Sequence, residues 1–133
     1  MSNNADIVFQ SYGRACVQPK FFAEFYKIFM GKSHEIKSMF VQTDMETQRG
    51  LLRGGILWLI MHARGMSDTK IRALGESHSK KKMDINPIHY NDWLDALIEA
   101  VEKFDPECTQ EISDAWRTTL TPGIKIIQGM YND

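Results

Sequence analysis

Apolar residues in this chain recur at three- and four-residue intervals in almost every patterned segment, the spacing of amphipathic helices rather than strands. Ile7 to Val17 reads as one short helix. Pro19 suits the first turn of the next, where Phe21, Phe22, Phe25, Tyr26 and Phe29 share a face. Gly31 ends that helix, and Ser33 caps a short turn carrying Ile36, Met39 and Phe40. Thr43 and Glu46 have capping-box spacing ahead of a long helix striped by Gln48, Leu52, Gly55, Leu59 and His62. Gly65 breaks it, and Ser67 or Asp68 caps a short helix bearing Ile71, Leu74 and His78. After Asn86-Pro87 comes a stripe of Tyr90, Trp93, Leu94, Leu97, Ile98 and Val101. Asp105-Pro106 separates it from a last helix with Ile112, Trp116, Leu120, Ile124 and Ile127, which Pro122-Gly123 is expected to bend. The pattern predicts an all-α fold of roughly seven or eight helices.

A chain of 133 residues is long enough for one sizeable core, and the expectation is a single domain over 1–133. With 43% hydrophobic and 25% charged residues, it has the composition of an ordinary globular protein. A formal net charge of −1 offers nothing to a nucleic acid or an anionic membrane, so neither is an expected partner. No apolar stretch reaches the length of a membrane span. Cys16 and Cys108 form neither a disulfide framework nor a metal-ligand spacing, and no CxxCH pair is present. The first residues lack a basic start and an apolar run, so a reduced, cytoplasmic setting is expected.

His78 is the residue with the most chemistry in its position. It closes the apolar face that begins at Ile71, so its imidazole is aimed at something buried. Taken alone, a histidine so placed is more often a satisfied core residue than a ligand. A neutral imidazole is nevertheless a good iron ligand when its second nitrogen is held by a hydrogen bond. Ser77 and the Leu74 carbonyl, one turn earlier, stand near enough in sequence to supply one. Lys80, Lys81 and Lys82 follow.

The run Leu74-Gly75-Glu76-Ser77-His78 resembles the proximal helix of globins, in which one histidine bonds haem iron. Phe25-Tyr26, then Met39-Phe40, then Gln48 and Leu52, resembles the distal half of bacterial globins, in order and with similar spacing. The likeness runs from about Lys20 to Tyr131, and the chain is similar to the globin part of flavohaemoglobins. It implies a globin fold, a three-over-three helical sandwich around non-covalent haem b (iron protoporphyrin IX). His78 would be the metal ligand, and Tyr26 and Gln48 would point at a bound gas. Phe40 would stack on the porphyrin, Leu52 would cover the iron, and Leu74, Ser77 and Tyr90 would line the proximal side. A bound diatomic ligand carries partial negative charge, so a phenol and an amide each stabilise it by roughly 0.5–1.5 kcal/mol.

His62 lies on the same face as Gln48, but about 21 Å along the helix, too far to serve the same iron. His34 is expected in an exposed connection, and the period of the following helix buries Tyr90 and Trp93 rather than His89. With no histidine in the distal place, the sixth iron position is expected to be open.

Three features depart from flavohaemoglobins. There the proximal histidine is held by a tyrosine and a glutamate from the last helix. Tyr90 matches the tyrosine, across a longer loop, but Thr121 to Tyr131 holds no glutamate. The histidine should therefore donate less electron density, and peroxidase-like activation should be weaker. No reductase domain is expected within these residues, so turnover would need electrons from a separate reductase. Trp58 in the long helix would either pack or line a gas tunnel. The expected function is reversible binding of oxygen or another diatomic gas. The alternatives are a nitric oxide dioxygenase or weak peroxidase with an external reductase, a gas or redox sensor acting through a partner, and a haem-free helical bundle.

Overall fold

The structure, a computed structural model, describes residues 4–133. Met1 to Asn3, which entered the reading of the amino terminus, lie outside the described residues. Seven helices are found among the described residues: α1 (Asn4–Cys16), α2 (Phe21–Met30), α3 (His34–Met39), α4 (Met45–Ala63), α5 (Thr69–His78), α6 (His89–Phe104) and α7 (Gln110–Gly129). They form a globin-like all-α sandwich. In one layer α4 packs on α1 and α5; in the other α6 packs on α2 and α7. Helices α1, α4 and α5 each cross onto α7, and α3 hangs from α2.

The stripes read from the sequence are what meet at these crossings. Phe21, Phe25, Ile36, Ile56, Ile60, Ile71, Leu97, Val101, Trp116 and Leu120 are fully buried. Burying each such side chain is worth roughly 1.5–3 kcal/mol. In the α2–α6 contact the Phe25 ring lies 5.0 Å from Tyr26, 5.5 Å from Phe29 and 5.9 Å from Trp93. Edge-on and stacked ring contacts at such distances add to simple burial.

Local signals set most helix ends, though Asp68, at the N-cap of α5, makes no capping bond with its side chain. Ser33 Oγ accepts from Ile36 N at 3.1 Å, as its position suggested. Asp44, not Thr43, caps α4: its Oδ1 accepts from Glu46 N, and Thr47 donates to its Oδ2. A carboxylate beside the first N–H groups also favours the positive end of the helix, which the neutral Thr43 would not. Pro122 lies inside α7, which continues past it to Gly129. The carbonyl that Pro122 leaves without a partner belongs to Thr118, an exposed residue that water can reach. Gly65 follows α4 at φ +103°, a conformation few other residues adopt.

A buried polar network joins the two ends of the chain. Trp116 Nε1 donates to Ser11 Oγ at 2.9 Å, and Ser11 donates to Asp105 Oδ2 at 2.6 Å. Arg14 reaches the same carboxylate through Nε and Nη2, at 2.6 and 3.0 Å. Burial opposes the charge on Asp105, but the bonds from Arg14, Ser11 and Glu107 N–H outweigh it and hold its pKa down. Ordered in this way, α1, the end of α6 and α7 fix the frame against which α4 and α5 are set.

Candidate functional site

Helix α5 is short, and its last residue is His78. Gly75, one turn earlier, lets α5 come down on the end of α7: a Cβ there would meet Met130 Sδ at 2.5 Å. The chain after His78 is bonded to that same end, with Lys80 N donating to Tyr131 O at 2.8 Å. Tyr131 Oη donates to Asp84 Oδ1 across the same loop. These ties fix where α5 stops and therefore where the imidazole sits.

The half-buried His78 ring is held by α6. Its Nδ1 lies 2.9 Å from Tyr90 Oη, with the two rings nearly parallel. Ser77 and the Leu74 carbonyl do not reach the ring. Ser77 Oγ donates to Leu74 O at 2.9 Å, which closes both groups on each other within the helix. The long loop between His78 and Tyr90 thus folds back far enough for the phenol to arrive. Burial pushes the His78 pKa down, which favours the neutral ring. With Nδ1 engaged, Nε2 is the nitrogen left for a ligand.

On the other wall, Tyr26 is buried in α2 and donates to the backbone carbonyl of Gln48 at 3.3 Å. Burial pushes its pKa up to about 12, against the opposing pull of the Gln48 bond and of Arg49, so it remains a phenol. The Phe40 ring stands 5.5 Å from Tyr26 and 6.1 Å from Phe29. Leu52, one turn beyond Gln48, is buried. Gly55 carries the α4 face on toward α5, where a Cβ would lie 3.9 Å from Leu74 Cδ1. The face bearing Gln48 and Leu52 is therefore opposed to the face bearing Leu74 and His78.

The other histidines are elsewhere. His34 opens α3 and is exposed. His62 is at the far end of α4, where Nδ1 is buried without a partner, 3.7 Å from where a Cβ on Gly123 would stand. His89 differs from the expectation: it is 4% exposed, and Nε2 pairs with Glu35 Oε1 at 2.9 Å. The helical period does not foresee this, because the partner of His89 comes from another element, α3. Trp58 is at the surface, with Lys70 Nζ over its ring at 5.6 Å. No group of three or more His, Cys, Asp or Glu side chains suited to a metal occurs among the described residues. No helix among them is long and apolar enough to cross a membrane.

One imidazole held from behind, opposite a buried phenol, within two helical layers, defines a globin-like protein. A crystal structure from Pseudomonas aeruginosa PAO1 makes the relationship specific: its protein is described as structurally highly homologous to a human hemoglobin. This chain is similar to it with a TM-score of 0.96 and 50% sequence identity, over 98% of this chain and 100% of that one. The chain belongs to the same family, the bacterial globins. No protein-family model and no curated protein matches it.

Proposed function

We propose that residues 1–133 form one globin domain that holds haem b non-covalently through His78 and reversibly binds oxygen or another diatomic gas. The observation that carries this is the Tyr90–His78 contact at 2.9 Å. It orients a neutral ring so that Nδ1 is occupied and Nε2 is free, which is the state required of an imidazole iron ligand. The residue types the two walls offer suit such a group: apolar Leu52, Leu74 and Phe40, all part of or packed on the core, for a flat ring system, and the Tyr26 phenol for a polar ligand. When bound, the haem supplies the open iron position at which a diatomic molecule is held.

The chain's own part is to orient and to donate. In the tautomer that leaves Nε2 free, Nδ1–H donates to Tyr90 Oη. Tyr26 keeps its proton far above neutral pH, and its O–H is available to a partly negative ligand. The bond it must give up, to Gln48 O at 3.3 Å, is longer than the usual O–H···O spacing, so little is lost by turning away. The Gln48 side chain is the second expected donor, and α4 approaches α5 closely where Gly55 meets Leu74.

The hold of Tyr90 on His78 also favours a second reading: a nitric oxide dioxygenase or peroxidase fed by a separate reductase. It ranks below gas binding, because the last helix spends Gln128 on Pro87 O at 3.3 Å and offers the Tyr90 hydroxyl no carboxylate. Absorption spectra of the purified protein in ferric, ferrous and carbon monoxide-treated forms, beside His78→Ala, test the proposal. A Soret band that carbon monoxide shifts, and that is lost or altered in the variant, is expected. No band after adding haem refutes it. Sustained nitric oxide consumption with a reductase would promote the enzyme reading.

A further inference from the structure

The Tyr90 hydroxyl has one partner among the described residues, the His78 ring, so its place depends on how the first turn of α6 is held. That turn has no side-chain cap: Ile88, at the N-cap, cannot supply one. Its backbone is closed by Asn86 and Pro87, through His89 N to Asn86 O at 3.0 Å and Tyr90 N to Pro87 O at 3.2 Å. Two side chains tie it to other elements: Gln128 of α7, which donates to Pro87 O at 3.3 Å, and His89, next to Tyr90 in sequence, which reaches toward α3. A buried imidazole needs a partner, and Glu35 Oε1 at 2.9 Å is the one it has. Glu35 belongs to the six-residue α3, whose main packing is on α2 and whose C-cap is Phe40. One contact therefore bridges the corner that presents Phe40 and the turn that presents Tyr90.

We propose that Glu35 and His89 are a positioning pair: their hydrogen bond holds the Tyr90 hydroxyl in register with His78 and steadies the Phe40 corner opposite. This rests on the haem-binding reading above. In this chain the pair takes the place of a carboxylate bonded directly to the tyrosine, acting through the backbone of α6. Neither residue touches the reacting ligand; each acts through Tyr90 or Phe40. Glu35 is mostly exposed, with a side-chain accessibility of 63%, so removing it opens no cavity in the core.

The test compares wild type, Glu35→Ala and Glu35→Gln, the last retaining an acceptor for His89. In the ferrous, haem-loaded proteins the iron–histidine stretching band is recorded by resonance Raman, with the rate of haem loss to a scavenger protein. In the haem-free proteins, hydrogen exchange is followed at the Tyr90 amide. Glu35→Ala is expected to broaden the band and lower its frequency, and to speed haem loss and amide exchange by about fivefold, the worth of one hydrogen bond. Glu35→Gln should restore most of each. An unchanged band and unchanged haem loss in Glu35→Ala would overturn the pairing role. A wild-type chain that takes up no haem would instead overturn the haem-binding reading, and the Tyr90 amide would then decide the pair alone.

Discussion

Tyr26→Phe separates a phenol aimed at a ligand from a phenol that merely packs. The substitution keeps the ring, and with it the contacts to Phe25 at 5.0 Å and Phe40 at 5.5 Å. Only the O–H is removed, together with its 3.3 Å bond to Gln48 O. That bond is long, and losing it should cost the fold at most about 0.5 kcal/mol, the low end for a neutral hydrogen bond. A bond to a partly charged ligand is shorter and stronger, near 1.5 kcal/mol, so the net loss on the ligand side is about 1 kcal/mol. This corresponds to roughly a fivefold faster release of oxygen, with little change in thermal stability. Stopped-flow displacement of oxygen by carbon monoxide reads the rate, and circular dichroism melting reads the stability. Release that is unchanged while stability falls by more than 1 kcal/mol would mean that the phenol serves the fold through Gln48 and not the ligand.

The remaining tests concern the frame. Asp105→Asn should lower stability at neutral pH by about 2 kcal/mol, the scale of charge-assisted bonds to a buried carboxylate. Because the folded pKa lies below the ordinary 3.8, that stability is present above the unfolded pKa and is lost as pH falls through the folded value. Urea melts at several pH values should therefore show the gap between variant and wild type closing below about pH 4, and a constant gap would refute the role of the charge. Gly75→Val should cost about 2 kcal/mol by driving a side chain into Met130, and Met130→Ala in the same chain should recover part of it. Additive effects in that double-mutant cycle would show that the two sites are not in contact. His62→Leu should stabilise the chain by about 1 kcal/mol, since Nδ1 is buried without a partner; a loss of stability in the same melts would reveal one.

Most of the helices were legible because a period-3.6 stripe is a direct record of which face is buried. The aromatic face of α2 and the Leu97–Val101 stripe of α6 are the stripes of the sequence, now found in the core. Capping was legible where one side chain had an unambiguous place, as at Ser33, and less so where Thr43 and Asp44 adjoin. Periodicity does not report what a third element lays across a helix flank. His89 escapes it for that reason: it is buried, and its partner Glu35 comes from α3, which packs on α2.

The same limit explains the proximal side, where proximity in sequence was a poor guide to bonding. Ser77 and Leu74 adjoin His78 along the helix, yet Ser77 Oγ turns back on the carbonyl three residues earlier, a geometry any helical serine can reach without tertiary structure. Tyr90 is twelve residues away and bonds the ring because two long-range ties bring the chain around: Lys80 N to Tyr131 O, and Gln128 Nε2 to Pro87 O. Both come from the end of α7 and the residues just after it, a stretch that carries no glutamate. The end of the last helix thus shapes the proximal side from its backbone and an amide, by placing the loop that delivers Tyr90, without contributing a charge to the hydrogen-bond chain. A globin built this way would hold its histidine firmly in direction while donating to it weakly. That combination suits reversible binding of a small gas better than activation of a bound oxidant.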